Sequence, residues 1–120
     1  MTESTVYNLE ARTTKFGEEI LFLAKSLEKN IVNNPLISQI VRSGTSIGAN
    51  YFEANGAASR KDFKNKICIC KKEARETKYW LELIAKTNDS QKDKCRILWK
   101  EANELTLIFS KIIQTIDKGK

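Results

Sequence analysis

Apolar residues recur at steps of three and four along most of this chain, the spacing of one face of an α-helix. The two cleanest runs lie in the second half. A helix predicted from Arg60 to about Thr87 carries Phe63, Ile67, Cys70, Ala74, Thr77, Leu81 and Ile84. A last helix, ending near Asp117, carries Cys95, Leu98, Ala102, Leu105, Phe109, Ile112 and Ile116. Such unbroken runs are typical of the seam of a helical bundle.

The first half of the chain predicts two further helices. The first runs from after Thr5 to about Asn30, with Leu9, Phe16, Ile20, Leu23 and Leu27 on one stripe. The second runs to about Ala54, with Asn34 as its cap and Pro35 at the first helical position. Its apolar or small residues are Ile37, Ile40, Val41, Gly44, Ile47, Gly48, Tyr51 and Phe52.

Two glycines four residues apart, Gly44 and Gly48, lie inside this second helix. Each weakens a helix by about 1 kcal/mol relative to alanine. Such a loss is usually offset by close packing, because a face without side chains lets a second backbone approach. We therefore predict that a neighbouring helix packs closely against Gly48, and that leucine at this position would disrupt the fold or the assembly.

Short polar segments separate the four predicted helices. Asn55-Gly56 closes the second helix, and Ser59 with Asp62 resembles the capping box of the third. Asn88-Asp89-Ser90 forms the next turn, where Ser90 and Asp93 predict another capping box. Helices of about 20 to 28 residues joined by short turns predict an all-α, up-down-up-down antiparallel four-helix bundle. Residues 1–120 are too few for two domains of ordinary size, so we expect a single domain.

Composition narrows the class of protein. Charged residues make up 30% of the chain and hydrophobic ones 41%, as in ordinary globular proteins. The longest apolar run, residues 20–24, is far too short to span a bilayer. The start of the chain lacks the pattern of a secretory signal peptide. These features predict a cytoplasmic protein with no membrane partner.

Cysteine and histidine content argues against metal sites and catalysis. Histidine is absent, and the three cysteines are Cys68, Cys70 and Cys95. Disulfides are not expected in this setting, and the Cys68-x-Cys70 pair points to different sides of a helix, so a zinc site is not expected either. We interpret the thiols as structural. With no recognisable pairing of carboxylates or lysines, we expect no enzyme activity and no cofactor.

Positive charge is concentrated in the third helix. The formal net charge is +6, and residues 60–78 hold eight basic and three acidic residues. At about 100° per residue, most of these cations fall within one arc of roughly 120°. The candidate phosphate-binding residues are Lys61, Lys64, Lys71, Lys72, Arg75 and Lys78. Cations on a rigid helix suffice to bind an RNA or DNA backbone. The alternatives are a solvated face, or a structural module that docks an acidic protein partner.

Two further groups are left unexplained by the seams. Apolar residues off the seams, among them Tyr79 and Ile97, are too many to be scattered surface residues, and they predict a self-association interface through Ile69, Trp80 and Trp99. Arg42, Asn50 and Glu53 are interpreted as a structural polar network, and a nuclease site is disfavoured because no carboxylate cluster is spaced for metal.

One stretch resembles a known family. Small and polar residues recur in the segment NPLISQIVRSGTSIGANYFEANGAASRKDF, in which the resemblance rests on Thr45, Ser46, Ile47, Asn50, Glu53, Gly56, Ser59, Arg60, Lys61 and Phe63. The segment is similar to the four-helix-bundle family encoded in intervening sequences of bacterial large-subunit ribosomal RNA genes. That family in turn resembles the accessory variability determinant of diversity-generating retroelements, a ring with a positive surface that assists a reverse transcriptase. The resemblance implies a bundle fold, a homopentameric ring, a nucleic-acid role and, as a further partner, a reverse transcriptase or another protein.

Overall fold

Four antiparallel helices form the described part of the protein, as predicted from the periodicity. In the computed structural model, which describes residues 8–119, the helices are α1 (Leu9–Ser26), α2 (Asn33–Asn55), α3 (Arg60–Thr87) and α4 (Lys92–Lys118). One short 3-10 turn, Asp89–Gln91, precedes α4. This part of the chain measures 49 × 25 × 20 Å, so the bundle is elongated along its helices. The predicted start of the first helix, after Thr5, lies partly outside the described residues.

The predicted seams form the core. Every seam residue of α1 is buried, and in α3 and α4 only Phe63, Ile112 and Ile116, which lie near one end of the bundle, are half-buried. Phe16 and Phe109 are the largest fully buried side chains. The prediction was wrong for Phe52, which is 68% exposed. Tyr51, beside it, takes the inward position instead, with its ring centroid 6.3 Å from that of Phe109.

Close approach between α1 and α2 is confirmed, although Gly44 rather than Gly48 is the tightest point. A β-carbon built on Gly44 would lie 2.8 and 2.9 Å from the γ-carbons of Ile20. At Gly48 the nearest atoms belong to Thr13, at 3.4 Å, which is close to ordinary van der Waals contact. On α1, a β-carbon built on Gly17 would lie 3.8 Å from backbone atoms of Gly44 and Thr45.

The turn between α1 and α2 differs from the prediction. Helix α1 ends at Ser26 rather than near Asn30, because Leu27 adopts an extended backbone conformation. The side chain of Asn30 rather than that of Asn34 caps the start of α2: Val32 directly precedes the helix, and the side-chain oxygen of Asn30 accepts hydrogen bonds from the amides of Val32 and Asn33, at 3.0 and 2.7 Å. Pro35 is consequently the third residue of α2 rather than the first, still within the first turn, where proline is tolerated.

Of the two helix caps predicted in the second half of the chain, one is present and one is not. Ser59 caps α3 as predicted, accepting a hydrogen bond from the amide of Asp62 at 3.0 Å. The capping box predicted from Ser90 and Asp93 is absent, because the 3-10 turn leads directly into α4. Asp93 instead pairs with Arg96 at 3.1 Å.

The helices pack unequally around the bundle. Helix α3 contacts α2 and α4 along its length, whereas α1 packs mainly on α2 and meets α4 sparsely. Two ionic contacts bridge the α1–α4 side: Arg12 with Glu101 at 2.8 Å, and Lys94 with Glu19. Across residues 8–119, no helix is long and apolar enough to cross a membrane.

Candidate nucleic-acid interface

Helix α3 presents the candidate cations from one rigid segment. Its 28 residues contain neither glycine nor proline, and Ser59 fixes where it begins. Residues on one flank of such a helix keep a constant spacing of about 1.5 Å per residue along the axis. The six predicted phosphate-binding residues therefore span about 25 Å, from Lys61 to Lys78.

Two of the six candidates are engaged with α4. The ammonium of Lys64 lies 2.5 Å from a carboxylate oxygen of Asp117. This hydrogen bond raises the pKa of Lys64 above its ordinary value. Lys78 donates to the side-chain oxygen of Asn103 at 3.0 Å, and its ammonium lies 5.1 Å from the centre of the Trp99 ring. Both residues thus hold α3 against α4, a role that the helical arc alone does not indicate.

The other four candidates, Lys61, Lys71, Lys72 and Arg75, are here called the basic surface. Lys61, Lys72 and Arg75 are exposed, and Lys71 is half-buried. Within residues 8–119, none of the four makes a salt bridge or a side-chain hydrogen bond. In the described part of the chain, no carboxylate therefore lies within salt-bridge distance of these four side chains.

Two acidic residues of α3, Glu73 and Glu76, lie on the flank that faces α2 and pair with a residue of that helix. The guanidinium of Arg42 donates to Glu73 at 3.2 Å and also to Glu76. These hydrogen bonds, the one to Glu76 foremost, raise the pKa of Arg42. Nearby, Lys66 pairs with Glu53 at 2.7 Å. Glu73 and Glu76 are thus neutralised on the α2 side, whereas the cations of the basic surface have no paired carboxylate in the described residues.

Helix α4 adds no negative charge beside the middle of the basic surface. The contacts from Lys64 to Asp117 and from Lys78 to Asn103 show the antiparallel register of the two helices. Between them, the α4 residues that follow Asn103 on the same side at helical steps are Leu107, Ser110 and Gln114. Leu107 is 56% exposed. The surface beside the cations is therefore neutral, with acidic groups at its ends only.

The three residues predicted for a self-association interface lie in different places. Trp99 is in the α3–α4 groove, where its indole N–H donates to Glu82 at 2.9 Å. Trp80 is half-buried against the core, and its enclosed indole N–H has no acceptor in the described structure. It lies at helical steps from Glu76 and Thr77, on the flank of α3 that faces α2. Ile69 is half-buried on that flank too. An interface through these residues stays a prediction.

The polar residues of α2 form structural contacts, as interpreted from the sequence. Arg42 and Glu53 each reach a partner on α3, and Asn50 donates to the carbonyl of Ser46 at 2.8 Å on its own helix. Deeper between the same helices, the hydroxyl of Thr77 donates to Ser43 at 2.9 Å. This network connects α2 to α3 along most of their length.

The cysteines divide into two buried thiols and one exposed thiol. Burial raises the pKa of Cys70 to about 12 and that of Cys95 to about 11, so both stay protonated at neutral pH. Cys68 is exposed on the same side of α3 as the basic surface. Among the described residues, no group of three or more potential ligand side chains is placed to hold a metal ion.

One aromatic residue was not included among the candidate binding residues. Tyr79 is 54% exposed and follows Arg75 by four residues and Lys72 by seven. Those steps place it on the same side of α3. The signal was present in the sequence, but Tyr79 was grouped with the off-seam apolar residues.

A family model described as 23S rRNA-intervening sequence protein matches residues 7–111. The chain belongs to this family. It is also similar to a crystal structure from Bacteroides thetaiotaomicron VPI-5482, of a protein with unknown function from the S23 ribosomal protein family. The two chains are 36% identical, the match covers 87% of this chain and 96% of that one, and the TM-score is 0.77. No curated protein matches the chain. Membership of the intervening-sequence family, indicated by the segment around Thr45 to Phe63, is confirmed.

Proposed function

We propose that this chain is a non-enzymatic, homo-oligomeric protein that binds the backbone of RNA or DNA through the basic surface. One observation carries the proposal: four cations of one rigid helix have no salt bridge or side-chain hydrogen bond in residues 8–119, while Glu73 and Glu76 of that helix are paired with Arg42 on the α2 side. A solvated face gains little from such segregation, whereas phosphate binding requires it.

Charge reversal tests this proposal. We expect the variant with Lys61→Glu, Lys72→Glu and Arg75→Glu to bind a labelled RNA at least about tenfold more weakly than the parent in fluorescence anisotropy at low salt. These residues make no salt bridge or side-chain hydrogen bond in the described structure and are exposed, so circular dichroism should be unchanged. For the parent, the logarithm of affinity should fall linearly with the logarithm of salt concentration.

A matched control separates position from net charge. The variant with Lys15→Glu, Lys25→Glu and Lys29→Glu, on and just after α1, brings the formal net charge from +6 to the same value of zero. It should retain most of the affinity. Equal losses in both variants would show that only net charge matters. Binding by neither the parent nor the variants would favour the docking of an acidic protein partner instead.

Assembly is the second part of the proposal. Phe22, Phe52 and Ile97 are large apolar residues that are more than half exposed, which favours a contact between copies of the chain. Following the resemblance to ring-forming relatives, we expect a pentamer. Light scattering at micromolar concentration should give a mass of about five times 13.7 kDa. A mass of one chain would contradict it, and a change of mass in the Lys61, Lys72 and Arg75 variant would identify the basic surface as a subunit contact.

A further inference from the structure

We infer that the nucleic acid bound at the basic surface is single-stranded, and that one of its unpaired bases stacks on the ring of Tyr79. This inference rests on the proposed function, because it assigns the class of nucleic acid that the same surface takes. It adds an aromatic contact to the phosphate contacts of Lys72 and Arg75.

The position of Tyr79 is the first reason. Arg75 lies one helical turn before it and Lys72 two turns before it, so the ring and the two cations face the same side. Along the helix axis, Lys72 and Tyr79 are about 10 Å apart. A strand whose phosphates lie against Lys72 and Arg75 would thus bring the next nucleotides alongside the ring.

The setting of the ring is the second reason. Tyr79 is 54% exposed, so the bundle does not need it as a core residue. Its ring meets that of Trp80 edge to face, with centroids 5.0 Å apart and an angle of 69°. Trp80 is itself packed against the core, so the exposed ring rests on a fixed neighbour. A ring that is held and exposed loses little freedom when a base stacks on it.

The combination is what favours a single strand. Proteins that bind single-stranded nucleic acid join a positive groove to aromatic side chains on which bases stack. In a duplex the bases are already stacked on each other, so an aromatic ring on the flank of a helix has no base face to contact. Beside Arg75 the register places Leu107, which is 56% exposed, so apolar as well as charged groups line this surface.

The test compares one strand with a duplex of the same length. Labelled 20-nucleotide poly(U) and a 20-base-pair RNA duplex are titrated by anisotropy against the full chain and three variants. Tyr79→Ala should weaken poly(U) binding at least about fivefold and leave duplex binding unchanged, because stacking on an aromatic ring is lost only for unpaired bases. Tyr79→Phe should bind poly(U) like the parent. Ile31→Ala, which removes another exposed apolar side chain in the turn between α1 and α2, should have no effect.

The salt dependence gives a second readout. Tyr79→Ala removes no phosphate contact, so the slope of affinity against salt should stay that of the parent, whereas reversing Lys72 and Arg75 should reduce it. Equal losses on poly(U) and duplex, or no loss on either while the charge-reversal variant loses both, would overturn the inference and leave the proposed function standing. If the parent bound neither probe, the proposed function itself would fail.

Discussion

Replacing Gly44 with alanine is expected to leave the protein about 1 to 3 kcal/mol less stable than the same replacement at Gly48. Both glycines lie inside α2, so alanine recovers about 1 kcal/mol of helix propensity at each position, and this gain cancels in the comparison. The difference comes from what the new methyl group meets. At Gly44 it would lie within 3 Å of two carbons of Ile20.

The side chain of Ile20 cannot move aside to accommodate the new methyl group. It is fully buried, and its β-branched side chain has one strongly preferred rotamer in a helix. The methyl group must therefore push α1 away from α2, whereas at Gly48 it would touch Thr13 at an ordinary distance. Urea denaturation followed by circular dichroism measures both variants. Equal midpoints for the two, with equal slopes, would show that the approach at Gly44 is not the tight one.

The architecture was readable from the sequence because each helix repeats its apolar positions without a slip. A run such as Phe63 to Ile84 fixes both the type of element and the face that is buried. The helix ends were less predictable. Which asparagine caps α2 depends on the residue at which α1 ends. Asn30 is the cap because the turn brings its side chain within hydrogen-bond distance of the amides of Val32 and Asn33.

The sequence predicts the side of α3 on which the basic surface lies, but not which of its cations are already paired. Rotation about the axis of α3 correctly places the cations on one flank, since that needs only the sequence and the helical repeat. It does not tell which cations are free to bind a partner. Lys64 and Lys78 are held because Asp117 and Asn103 lie opposite them, and that register is set by core packing between α3 and α4.

The burial of the two tryptophans could not be predicted from their helical positions either. Off the seam by periodicity, Trp80 and Trp99 were expected at a contact between copies. Both turn out to be half-buried within the bundle and packed against its core. An indole is long enough to reach the core from a flanking position, so its position on the helix is a poor guide to its burial. Tyr79 and Ile97, from the same set, are the ones that remain mostly exposed.

Replacing Arg42 with methionine is expected to destabilise the protein by about 1 to 3 kcal/mol. Arg42 donates to two carboxylates of α3, and one of them, Glu73, is only 7% exposed. Methionine keeps much of the packing of the arginine stem but leaves Glu73 enclosed without its cation. Removing one partner of a buried ion pair is costly because the remaining charge is uncompensated, although the partial exposure of Arg42 limits the effect here.

Two further variants test whether the loss of stability comes from the unpaired carboxylate of Glu73. Adding Glu73→Gln to Arg42→Met should recover part of the lost stability, since a neutral amide is less costly to enclose than a carboxylate. Lys66→Met removes the neighbouring ion pair, whose partner Glu53 is well exposed, and should change the stability by less than about 1 kcal/mol. Denaturation of the parent, the single variants Arg42→Met and Glu73→Gln, and their double variant at neutral pH gives the coupling between Arg42 and Glu73. No recovery in the double variant would mean that Arg42 acts through Glu76 or through packing alone. In that case the separation of charge across α3 would contribute less to the stability of the fold than to the binding of a partner at the basic surface.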